Sequence, residues 1–195
     1  MFDTTVSKFM LKIKYLLTIV AVLFATFTAS ARPDLSNGRP GPTPYDPYRA
    51  PVDAVMQRLD GPSPSFSTVA ALVKQGFAFK YVFDAPYLAQ SPQVTASKRS
   101  GDCKAKSLWL ASRMNDANNL RYVIGKARRI SKISHAWLMW KSEGRWWILD
   151  PTNADEPIPA DAVGPDDYIV NYSYDRTGSY CHDTPRSRRS VAGRG

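Results

Sequence analysis

Hydrophobic positions in the second half of this 195-residue chain change their period twice. Cys103, Ser107, Leu110, Ala111 and Met114 recur at the spacing of one helical face. Ser100-Gly101-Asp102 supplies a helix start with Asp102 as N-cap, and the turn-forming run 115–119 closes the helix. Residues 120–126 then read as a strand with Tyr122 and Ile124 on one face, and residues 168–172 as another. Between them, residues 136–140 and 145–149 are apolar and aromatic and flank the polar Lys141-Ser142-Glu143-Gly144, which predicts a hairpin. A turn centred between Ser142 and Glu143 sets His135 directly opposite Asp150; a two-residue Glu143-Gly144 loop displaces the pair by one diagonal step. Both registers leave the two side chains on one face, and only an odd-length loop separates them. By the same parity Trp137, Met139, Trp146 and Ile148 share that face and are expected to pack on the cysteine helix, with Trp140 and Trp147 turned away. Upstream, residues 52–59 suggest a short helix and residues 68–75 a second one closed by Gly76. Residues 77–83 alternate in a way that fits strand or helix.

Three strings on this framework carry chemistry: Gly101-Asp102-Cys103, His135-Ala136-Trp137 and Leu149-Asp150-Pro151-Thr152. Thiol, imidazole and carboxylate are the parts of a nucleophilic cysteine site: attacking sulfur, general base, and a group that orients the base. Each has a bland alternative, as inert buried thiol, edge histidine or turn aspartate. The chain has only two histidines, however, and the hairpin brings this one to the aspartate. A cysteine in a first helical turn meets unpaired N–H groups and the positive end of the helix dipole, an environment that favours the thiolate. The same N–H groups offer an oxyanion hole. Lys104 and Lys106 are expected to be solvated. Trp137 is expected to belong to the core and to wall the site.

These strings resemble the transglutaminase-like superfamily, relatives of papain with the order Cys, His, Asp. A further match is Tyr81-Val82-Phe83-Asp84, followed by Pro92 and Thr95 ahead of the cysteine. The resemblance spans residues 65–155. It implies an α+β papain-like fold, with the cysteine helix packed on an antiparallel sheet that carries His135 and Asp150. It further implies Cys103 as nucleophile, His135 as general base and acid, and Asp150 as the orienting carboxylate. Animal transglutaminases place an oxyanion-binding tryptophan before the cysteine, whereas no tryptophan precedes Trp109 here. Tyr81, through its hydroxyl, Gln90 and Gln93 are the candidate substitutes, and spacing does not choose among them. The activity implied is that of a cysteine peptidase or amidase on a protein or peptide substrate. The alternatives are a glutamine transamidase and an inactive interaction module.

Composition adds the context. Lys8, Lys12 and Lys14, the apolar run 15–28 and Ala29-Ser30-Ala31 read as a cleaved export signal over residues 1–31, with translation starting at Met1 or Met10. The apolar run is short for a membrane span, so no stable span is expected after cleavage and the mature chain is expected to be periplasmic or secreted. Residues 32–64 hold eight prolines and read as a leader or linker, either a spacer or strap laid across the domain or a mostly disordered stretch; residues 65–172 read as the domain, and residues 173–195 as a basic disordered tail. The formal charge is +9; removal of residues 1–31 takes three lysines and one aspartate, leaving +7. That charge favours anionic envelope polymers or lipid surfaces. No nucleic-acid module, metal-ligand spacing or cofactor motif is visible. An exported chain with two cysteines also admits a Cys103–Cys181 disulfide, which would disable the nucleophile and belongs to the inactive alternative.

Overall fold

A computed structural model describes Pro33, residues 35–83 and residues 87–182. The expected export signal, Asp84 and the last thirteen residues of the expected tail lie outside the described residues. The fold is α+β. Four helices, α1 (Ala50–Met56), α2 (Phe66–Phe77), α3 (Pro92–Lys98) and α4 (Cys103–Met114), accompany a seven-stranded sheet. The strands are β1 (Arg39–Pro40), β2 (Lys80–Tyr81), β3 (Ser100–Gly101), β4 (Leu120–Arg128), β5 (His135–Ser142), β6 (Arg145–Leu149), β7 (Ile158–Pro159), β8 (Asp167–Tyr174) and β9 (Ser179–Cys181). The large sheet runs β1-β9-β8-β4-β5-β6-β7 and its pairings are antiparallel; β2 and β3 form a separate parallel pair.

The hairpin of β5 and β6 settles the register. Ser142 faces Arg145 and Met139 faces Ile148, so the loop is Glu143-Gly144 and the pair His135/Asp150 is displaced diagonally. Both loop residues have positive φ, 51° and 75°, as a type I′ turn requires. The expected face assignment is reversed. Ala136, Leu138, Trp140 and Leu149 belong to the core that contains Leu108, Trp109 and Leu110 of α4. Trp137, Met139 and Ile148 lie on the other side, in a second cluster with Val123, Tyr168 and Val170, against which Trp146 packs. Strand alternation fixes which residues share a face; it carries no information on which face the helix covers.

Helix α4 is central, touching α1, α2, α3 and β5. Its buried set wraps most of the circumference, from Ala105 through Ala111 to Met114, as expected of a helix enclosed on every side. Gly76 does not close α2 as expected but sits inside it: a Cβ there would lie 2.9 Å from Pro151 Cβ and 2.9 Å from Trp109. The residue is glycine because the helix passes so close to the cysteine helix and to the segment after Asp150. The packed body also reaches beyond the expected domain limits. Residues 39–40 pair with 180–181, α1 buries Val52, Val55 and Met56, and β8 and β9 extend past residue 172. Proline at N1 or N2 of α1 suits a helix start, so proline density there marks a helix entrance, not an unstructured leader.

Candidate active site

Cys103 is the first residue of α4. Asp102 precedes it in extended geometry, and its Oδ1 accepts from Ala105 N at 3.1 Å, which is the N-cap expected from the sequence. Asp102 Oδ2 is ion-paired with Lys104, whose ammonium also lies 5.7 Å from the centre of the Phe83 ring. Lys104 is therefore tied down, not free in solvent. Lys106 is buried as well, contrary to expectation: its Nζ donates to Phe79 O at 3.0 Å and Phe77 O at 3.4 Å. Burial lowers its pKa, against the opposing pull of the Asp150 charge. It thereby pins the end of α2 and the approach to β2 onto the cysteine helix.

His135 Nε2 donates to Asp150 Oδ2 at 2.8 Å. Burial works to lower the imidazole pKa, but its hydrogen bonds to Asp150 and to Cys103 outweigh it, and the value rises to about 10. With Nε2 engaged by the carboxylate, Nδ1 is the ring nitrogen left to serve the sulfur. His135, Cys103 and Asp150 are thus brought together as the sequence indicated. Asp150 is wholly buried and densely solvated by protein donors. Oδ1 accepts from Thr152 N at 3.0 Å and Asn153 N at 3.3 Å; Oδ2 accepts from Asn153 Nδ2 at 2.8 Å and Tyr168 hydroxyl at 3.0 Å in addition to His135. Burial alone would raise its pKa; the His135 hydrogen bond and charge, then Asn153 and Thr152, bring it below the ordinary carboxylate value. Such a carboxylate stays ionised and acts as a fixed acceptor.

Trp137 stacks against the imidazole, ring centres 5.9 Å apart and planes at 21°, and meets Tyr168 edge-on at 5.4 Å. It is a fully buried platform for His135 and does not line the adjoining cavity, so its expected role as a wall is corrected. Room for it comes from Gly125, which faces His135 across the β4–β5 ladder where β4 and β8 shift register. A Cβ at Gly125 would stand 2.8 Å from the Trp137 ring and 2.0 Å from Ile169 O.

Cys103 and His135 open onto a cavity of about 380 Å³. Tyr81 lines it, half-exposed, with its pKa raised by burial and then by the negative charges of Cys103 and Asp102. Gln90 is committed elsewhere, its Nε2 donating to Ser100 O at 3.0 Å, and Gln93 lines a separate cavity. Of the three oxyanion candidates only Tyr81 faces the sulfur's cavity. Both cysteines are free in this structure, and Cys181 Sγ donates to Pro42 O at 3.3 Å. Among the described residues no cluster of three or more His, Cys, Asp or Glu side chains is placed to hold a metal ion, and no helix is long and apolar enough to cross a membrane.

Sequence reasoning missed Tyr168, Asn153 and Gly125. Asn153 lies three residues after Asp150, within reach of the turn that Asp-Pro-Thr begins, so it was open to being found. Tyr168 comes from a distant strand and left no local signal.

No family model matches the chain, and no curated protein matches it in sequence. Its fold is similar to solved structures of LapG from Legionella pneumophila. To the EGTA-treated form the TM-score is 0.50 at 19% identity, covering 67% of this chain and 74% of that one. To the calcium-bound form it is 0.50 at 19% identity, covering 71% and 77%. At these identities the likeness shows a shared fold, which is the α+β architecture expected from the sequence.

Proposed function

We propose that this protein is an exported cysteine peptidase or amidase of the transglutaminase-like type, working through a thioester acyl-enzyme. The single observation that supports this most is His135, hydrogen-bonded to Asp150 and sharing the mouth of one cavity with Cys103. The proposed roles follow the geometry. Cys103 sulfur, as thiolate beside the imidazolium, attacks an amide carbonyl carbon, forming the C–S bond. Negative charge gathers on the carbonyl oxygen, where the first-turn N–H groups of α4 and the Tyr81 hydroxyl are the donors at hand. As the C–N bond breaks, the proton on His135 passes to the leaving amine. His135 then takes a proton from water as its oxygen adds to the thioester carbon; the C–S bond breaks, an acid leaves, and the thiolate beside the imidazolium is restored. Asp150 stays ionised throughout, keeping the ring oriented and its charge compensated. Trp137 holds the ring plane from the side opposite solvent.

A packed body running from β1 to β9, with an export signal before it, is the domain plan that goes with this reading. The test is direct. Incubation of native protein with peptide amides, followed by mass spectrometry, should show acid products and a thioester on Cys103, and neither with Cys103→Ala. Added primary amine at millimolar levels should divert only a minority of product, because a cavity open to solvent does not keep water from the intermediate. Predominant amine adduct would make the transamidase the better reading, and absence of any acyl-enzyme would remove the hydrolase.

A further inference from the structure

The cavity beside Cys103 is not walled by the domain core alone. Residues 41–52 cross its mouth as a strap, and the strap's two tyrosines, Tyr45 and Tyr48, line it. The strap is fastened at several points. Thr43 Oγ1 and the Tyr174 hydroxyl are 2.6 Å apart, Ser179 Oγ donates to Gly41 O at 2.9 Å, and Gly41 N donates to Ser179 O at 3.2 Å. The most telling bond joins the Tyr45 hydroxyl and Ser134 Oγ at 2.7 Å, because Ser134 is the residue before His135. Tyr87, from across the mouth, completes an aromatic cluster: ring centres lie 5.0 Å from Tyr48 and 6.2 Å from Tyr45. Tyr45 further meets Tyr172 edge-on at 5.7 Å.

Charge is neutralised where it borders this space. Arg49 pairs with Asp53 at 2.7 Å and with Asp46 at 3.7 Å, and Lys104 pairs with Asp102. Lys132, also on the wall, is exposed to solvent, and His135 belongs to the site itself. The inner surface is apolar: Val52, Ala89, Tyr122 and Ala136 are all buried there. A space of this size falls in the range of ligand pockets, about 300–1,000 Å³. An ionised side chain pressed against these buried residues would lose water with no charged partner among them, whereas an apolar one gains by burial.

We propose that Tyr45, Tyr48 and Tyr87 form a specificity wall that seats an apolar side chain, aliphatic or aromatic, of the acyl-donor peptide next to the bond attacked. The inference rests on the cysteine-nucleophile reading above and adds the substrate class to it. Tyr45 has a second duty as a positioning residue, since its bond to Ser134 ties the wall to the backbone that carries His135. The wall is thereby fastened to the strand that presents the general base.

Peptidyl chloromethyl ketones ending in Phe, Asp or Lys, run beside iodoacetamide, test this. Iodoacetamide is too small to need the wall, so each probe's rate of labelling Cys103 is divided by the iodoacetamide rate. The Phe probe should exceed the Asp and Lys probes by about ten-fold or more, the scale of one buried apolar side chain. Tyr48→Ala and Tyr87→Ala should each lower that ratio by about ten-fold; both side chains are partly exposed, 39% and 53%, so folding is not at stake. In Cys103→Ala protein, where no covalent step occurs, calorimetry should show the Phe peptide amide binding more tightly than its Asp counterpart. Equal normalised rates, preference for the charged probes, or selectivity untouched in both tyrosine variants would overturn the wall while leaving the nucleophile standing. Slow iodoacetamide labelling of Cys103, no faster than of Cys181, would instead sink the parent reading and this one with it.

Discussion

On one face of β5, Ala136, Leu138 and Trp140 meet α4 and the helices around it; on the other, Trp137 and Met139 meet Val123, Tyr168 and Val170. The first face belongs to a large, mostly apolar core that runs from Val52 in α1 to Tyr174 in β8. The second is a smaller cluster, yet it contains the ring beneath His135 and the hydroxyl that holds Asp150. Burial energy is concentrated on one side of the sheet and alignment of the proposed chemistry on the other. The sulfur arrives from the helix side and the carboxylate from the opposite side, and they meet at the end of β5 where His135 sits. Damage to the two faces should therefore be separable.

The largest expected effect is loss of all turnover in Cys103→Ala with the melting temperature nearly unchanged, since one sulfur atom at a helix end is removed from the helix-side core; activity assays and calorimetry on one preparation check this. Next is Asp150→Asn, which keeps the fold but permits the wrong imidazole tautomer, an effect worth about 10⁴ in kcat in a serine triad. Its pH profile sharpens the point. The wild-type imidazole, raised from 6.5 to about 10, keeps its proton until the pH approaches 10, so the alkaline limb of kcat/KM should lie there. The asparagine variant should move that limb downward by more than one unit of pH. The same shift makes a stability claim: the raised pKa gives a contribution fully present below 6.5 and lost as pH climbs through about 10, so melting temperature should fall over that interval in wild type and less so in the variant.

Trp140→Ala breaks the other side. It empties a fully buried site and removes one donor from Asp116, whose Oδ2 accepts from the indole at 2.9 Å. It should cost about 3–5 kcal/mol in denaturant unfolding while leaving kcat per folded molecule close to wild type. The smallest effect is Tyr168→Phe, which removes one of five donors from Asp150 and leaves the ring in place. It should lower kcat by about ten-fold and stability by about 1 kcal/mol. Equal stability losses for Trp140→Ala and Tyr168→Phe would dissolve the distinction between the faces.

What the sequence disclosed and what it hid follow the same division. The N-cap before Cys103, the end of α4 at Asn115 and the hairpin that joins His135 to Asp150 depend on residues a few positions apart, and local spacing shows them. The face on which α4 packs depends on how separate elements are brought together, and period-2 alternation is silent on that. Lys106 was read as solvated because a lysine carries a charge; its burial rests on two carbonyls nearly thirty residues upstream. Tyr168 and Gly125 matter through strand neighbours, β8 beside β4, that no short motif encodes. The proline-rich stretch looked like a leader because composition alone cannot show that its two ends find β9 and α4.

The pairing of Arg39 with Cys181 has a kinetic meaning. Its partners are separated by more than a hundred residues, so forming it closes one of the longest loops available to the described chain, and such closures come late and slowly. The strap that carries Tyr45 and Tyr48 hangs from this closure. A chain emerging from synthesis or translocation thus has Cys103, His135 and Asp150 in hand before it has the wall beside them, and the wall can lock only once the last strand is out. Maturation of the cavity is timed by the arrival of β9, so a refolding experiment should recover the far-ultraviolet signature of the sheet before it recovers selectivity for apolar probes.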